Sequence, residues 1–173
     1  MVEVGQKAPD FIAPGVVEGD GQMVELFAEL EATEAIVLAF APAAFVPTTT
    51  AEFCAIRDAG WNNHPEIGVF GLSADSLFSH AAYAREYDIP FPLVTDFHGS
   101  IADSYDLLAE EWEGHRNIPR RATVIIDSDW EISLVESVPN ALDEVRPAPV
   151  EQAGEVLVDL GLDVAMPTVS YEY

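Results

Sequence analysis

Six consecutive apolar residues, Ala35–Phe40, run into Pro42 and are followed at once by the signals of a helix start. A short, unbroken apolar run of this kind reads as a buried central strand. Thr48, Thr49 and Thr50 are residue types that favour the N-cap. Thr49 and Glu52 have the spacing of a capping box, with the hydroxyl directed to the Glu52 amide and the carboxylate back to the Thr49 amide. A helix is therefore expected over residues 50–60, with Thr49 as its N-cap. Amide groups left unpaired at such a start favour an anion in the preceding loop.

Similar apolar runs bounded by turn residues recur at residues 67–72 and 122–126, and helix-like segments fall at 76–87 and 100–107. Strands alternating with helices argue for an α/β layer structure with parallel strands. Asp127-Ser128-Asp129 is a turn signal that should return the chain through residues 131–138 as an antiparallel partner. Gly19-Asp20-Gly21 suggests a smaller N-terminal hairpin, and residues 149–160 read as a closing helix. The length of 173 residues suits one domain over residues 1–162, with residues 163–173 as a tail of no clear pattern.

Charge narrows the partners. There are 31 acidic side chains against seven basic ones, a net charge of −24, and Lys7 is the only lysine. Binding to nucleic acid or an anionic membrane needs clusters of Lys or Arg, so neither is expected. The acid excess reads as a solvated surface, in a form that resembles cytosolic proteins of salt-accumulating halophilic archaea. No apolar stretch is long enough to cross a membrane, and the N-terminus lacks a basic region followed by an apolar core, so a soluble, unprocessed, cytoplasmic chain is expected. A single cysteine, Cys54, allows no disulfide within the chain. The histidines His64, His80, His98 and His115 show no metal-ligand spacing, and neither a metal nor a cofactor is expected.

Pro42, Phe45, Glu52 and Cys54 resemble the reactive loop and helix of the peroxiredoxins, the alkyl hydroperoxide reductase and thiol-specific antioxidant family. The likeness continues through residues 5–11, 71–80, 91–96 and 121–127, covering roughly residues 3–138 in order. It implies a three-layer thioredoxin-like α/β fold with a central mixed sheet, consistent with the alternation of elements above. It also implies that Arg121 is the active-site arginine, that Thr49 stands at the position of the peroxidatic cysteine, and that Cys54 stands where one subgroup keeps its resolving cysteine. Val46 departs from the family's Thr or Ser. The resemblance implies thiol-dependent peroxide reduction, a thiol reductant as partner, and a homodimer.

Thr49 cannot perform that chemistry, because a sulfenic acid requires sulfur and an alkyl hydroxyl ionises far outside the range of a tuned thiol. Any activity would run through Cys54. Five residues along a helix give about 7.5 Å of rise and about 140° of rotation, which turns Cys54 away from the Thr49 site and towards the core. The alternative is a catalytically inactive binding or regulatory protein in which Pro42, Thr49 and Arg121 surround a small polar site able to hold a peroxide or oxyanion.

Overall fold

The computed structural model describes residues 2–172. A hairpin of β1 (Ile12–Val17) and β2 (Asp20–Glu25) opens the chain, followed by α1 (Leu26–Ala32) and the apolar strand β3 (Ala35–Phe40). Next come α2 (Pro47–Ala59), β4 (Ile67–Ser73), α3 (Leu77–Tyr87), β5 (Leu93–Thr95) and α4 (Ser100–Ser104). A second hairpin, β6 (Leu108–Trp112) with β7 (His115–Pro119), precedes β8 (Ala122–Asp127), β9 (Ile132–Ser137) and α5 (Pro149–Asp159). The main sheet has seven strands in the order β2-β1-β5-β4-β3-β8-β9. β3, β4 and β5 are parallel, and β8 and β9 run antiparallel to complete a mixed sheet.

Both faces of this sheet are covered, which is why its central strands read as continuous apolar runs. Successive residues of β3 point to opposite faces. Val37 and Ala39 pack with Phe53, Cys54, Trp61, Tyr83 and Leu157 from the side of α2, α3 and α5. Ile36, Leu38 and Phe40 pack with Leu26, Leu30 and Ile101 from the side of α1 and α4. Helices on either side of a mixed sheet make the expected three-layer thioredoxin-like fold.

The expected strands at β3, β4 and β8, the two hairpins flanking the sheet and the closing helix all form. Two local expectations are corrected, and one element was not expected at all. α2 begins at Pro47, with Val46 as its N-cap and no side-chain cap, so Thr49 lies inside the helix rather than at its boundary. Proline is favoured at the first helical position, and here it starts the helix earlier than the threonines suggested. α4 is only five residues long and ends at Ser104. The hairpin of β6 and β7, unexpected from the sequence, stands outside the main sheet as a separate two-stranded ribbon. Residues 163–172 have no regular secondary structure, yet Trp61 Nε1 donates to the Ala165 carbonyl at 2.8 Å and Val169 is buried in the core.

Candidate functional site

The loop between β3 and α2 is fixed at two points. The Ala44 amide donates to Asp75 Oδ2 at 2.7 Å. Phe45, in the left-handed region at φ 68°, sets its half-exposed ring edge-on against Tyr83, with centroids 5.0 Å apart. Asp75 is held in turn from below, where Ser73 Oγ donates to the same Oδ2 at 2.6 Å. Because the Ser73 proton is committed there, His80 Nε2 carries the hydrogen in its 2.7 Å contact with Ser73 Oγ, and His80 Nδ1 accepts from Thr95 Oγ1 at 3.2 Å. Burial lowers the pKa of His80, against the raising influence of Asp75, so the ring stays neutral in this network.

The three threonines have different roles. Thr48 Oγ1 donates to the Ala141 carbonyl at 2.6 Å, and Thr50 Oγ1 accepts from Tyr83 Oη at 2.9 Å. Thr49 Oγ1, between them, is buried and has no hydrogen-bond partner among the described residues. The expected capping box does not form. Glu52 instead turns its carboxylate to Arg121, whose Nε donates to Glu52 Oε2 at 2.9 Å, and Glu52 Oε1 is buried with no hydrogen bond of good geometry among the described residues.

Arg121 is wholly buried at the start of β8 and is gripped from three segments. Besides Glu52, it donates from Nη1 to the Ala141 and Asp143 carbonyls at 3.3 and 2.6 Å, and from Nη2 to Tyr171 Oη at 2.9 Å. The Tyr171 ring also lies under both Arg121 and Arg146, at 5.6 and 5.2 Å from centroid to guanidinium carbon. Burial pushes the pKa of Glu52 up, against the charge and hydrogen bond of Arg121. For Arg121 burial works against the charge, but Glu52 more than offsets it and holds the pKa above the usual value. An arginine so enclosed stays charged.

Pro42 and Arg121 both line a cleft of about 530 Å³ bounded by the β6–β7 hairpin and residues 138–141. Thr49 does not reach it, which corrects the expectation that Pro42, Thr49 and Arg121 surround one pocket. The cause is again the early helix start at Pro47, which carries Thr49 into the buried part of α2. Cys54 lies on the opposite side of the helix. It is fully buried and packs in the layer formed by α2, α5 and the tail residue Val169. Sequence reasoning missed Thr48, Ala141, Asp143 and Tyr171 as neighbours of the site. All of these contacts are made through backbone carbonyls or across long sequence separations, which leave no local signal.

Residues 4–135 match the model of the AhpC/TSA family. The chain belongs to that family. Among AhpC/TSA relatives, a putative peroxiredoxin bcp of Coxiella burnetii is 32% identical over 139 residues, covering 78% of this chain and 87% of that protein. Peroxiredoxin Bcp of Bacillus subtilis is 30% identical over 137 residues, covering 74% and 80% respectively. The crystal structure of peroxidoxin BcpB from Mycobacterium tuberculosis superposes with a TM-score of 0.74 at 25% identity, covering 93% of this chain and 97% of that one. The reduced 2-Cys peroxiredoxin of Plasmodium vivax has the same fold, with a TM-score of 0.71 at 23% identity over 91% of this chain and 94% of that one. The chain carries Pro42 in the loop before α2, Arg121 paired to Glu52 of α2, and threonine at position 49.

Proposed function

We propose that this chain is a thiol-dependent peroxide reductase whose reactive sulfur is Cys54, and that turnover requires α2 to open. The observation that carries the reading is the Glu52–Arg121 pair, built on the same helix as the only cysteine in the chain. The Cys54 thiolate attacks one peroxide oxygen and the O–O bond breaks. The sulfur, oxidised by two electrons, becomes a sulfenic acid, and the other oxygen leaves as water or an alcohol after taking a proton. With no second cysteine, a thiol from outside the chain condenses with the sulfenic acid, releasing water. A second outside thiol then frees Cys54 by exchange. The protein acts in the cytoplasm as a homodimer, and sedimentation in molar KCl that shows only monomer would remove the dimer from this reading.

Peroxide consumption in molar KCl with dithiothreitol in excess tests the proposal. Turnover by the unaltered chain that vanishes in Cys54→Ser is the expected result. A silent unaltered chain overturns it. The complete burial of Cys54 favours a second reading, a turnover-free protein that holds a peroxide or small oxyanion near Arg121. That reading predicts a parent that consumes no peroxide, with or without Cys54.

A further inference from the structure

We propose that the 530 Å³ cleft beside the β6–β7 hairpin binds a monoanionic carboxylate with an apolar body, gripped by Arg116 and Arg120 and oriented by Trp112. This goes beyond the thiol chemistry and does not depend on it. The volume lies within the range of small-molecule sites, roughly 300–1,000 Å³.

Charge first draws attention to the cleft. Only seven basic side chains stand against 31 acidic ones in the chain, and Arg116, Arg120 and Arg121 all line this one space. In so acidic a protein an arginine has carboxylates in abundance to pair with. The Arg116 guanidinium nevertheless has no hydrogen bond or ion pair among the described residues, although Glu111 is its direct cross-strand neighbour in the hairpin. Arg120 makes one long contact, from Nε to the Leu108 carbonyl at 3.5 Å.

The buried groups lining the same space have unfilled donors as well. Trp112 Nε1 is buried with no acceptor among the described residues. An indole nitrogen can only donate, so an acceptor for it would have to come from outside the described residues. Arg121 spends four hydrogen bonds on Glu52, Ala141, Asp143 and Tyr171, leaving one of its five N–H groups without a protein acceptor. All of these open positions are donors, and three belong to guanidinium groups, whose forks match the planar geometry of a carboxylate.

The rest of the lining restricts the anion further. Glu110 and Glu111, exposed and on the same cleft, repel a second negative charge and so disfavour a phosphate dianion. Val138, Pro139, Ala141 and the Trp112 ring supply apolar walls for a hydrocarbon body.

Calorimetric titration in KCl of fixed ionic strength, using hexanoate, hexanamide and inorganic phosphate as probes, tests the proposal. A Cys54→Ser background removes any thiol reaction, so the result is independent of peroxide turnover. Hexanoate should bind roughly tenfold or more tightly than hexanamide, the contribution expected of a charge-assisted contact. Arg116→Gln should weaken hexanoate about tenfold and leave hexanamide unchanged. Trp112→Phe, which keeps an aromatic ring but deletes the N–H, should weaken hexanoate severalfold. Arg116 is exposed on a hairpin, so its variant is expected to keep the parent melting temperature. Equal binding of hexanoate and hexanamide, tighter binding of phosphate, or an unaltered hexanoate affinity in Arg116→Gln would each overturn the proposal.

Discussion

Arg121 and Glu52 are two opposite charges removed from water together, and each makes the burial of the other tolerable. Replacing Arg121 with methionine leaves the Glu52 carboxylate buried beside an apolar side chain, at a cost of about 3–5 kcal/mol. The double variant Arg121→Met/Glu52→Met should be less destabilised than the sum of the two single variants, because no bare charge remains. Urea unfolding of the four proteins in molar KCl checks both statements. His80 gives a pH prediction at the same scale. Its folded pKa lies below the ordinary 6.5 because of burial, so below that pH the unfolded chain takes up a proton that the folded chain refuses. The stability His80 contributes is present above pH 6.5 and is lost as the pH falls through that value towards the lower folded one. Unfolding midpoints at pH 7.5 and pH 5.5 should therefore separate less for His80→Gln than for the parent. Of these residues, Pro42, Glu52, Arg121 and Cys54 could be picked out in the sequence. The pairing of Glu52 with Arg121 could not, since it joins positions 69 residues apart and competes with a plausible local partner at Thr49.

At the scale of elements, α2 has an incomplete start. Val46 occupies its N-cap position and offers no acceptor to the first amides. Val46→Ser supplies one, and should raise stability by roughly 0.5–2 kcal/mol, read from the thermal midpoint. The strands β3, β4 and β8 were legible because helices cover both of their faces and leave unbroken apolar runs. α1 was not, since seven residues containing two glutamates give too little amphipathic pattern to stand out. The β6–β7 hairpin was also hidden, because Glu110 and Glu111 interrupt any alternation of apolar and polar residues. Its one signal was the turn at Glu113-Gly114, where both residues take positive φ, at 50° and 79°. That pattern suits a tight hairpin turn. The wall of the cleft that this ribbon builds went unread with it.

For the whole molecule, an excess of 24 negative charges means that folding brings like charges together. Salt screens this repulsion over about 30 Å at 0.01 M and about 3 Å at 1 M. The melting temperature should rise by several degrees or more between dilute buffer and molar KCl, and an unchanged value would contradict this account. The tail has a consequence of another kind. Arg121 acquires its partners from Glu52, from Ala141 and Asp143, and finally from Tyr171. On a ribosome these appear in order of synthesis, so a chain stalled anywhere before Tyr171 carries a guanidinium whose last oxygen partner and covering ring have not yet been made. The region around α2 thus reaches its finished form only once Tyr171 has been made, and until then the Arg121 guanidinium is incompletely covered.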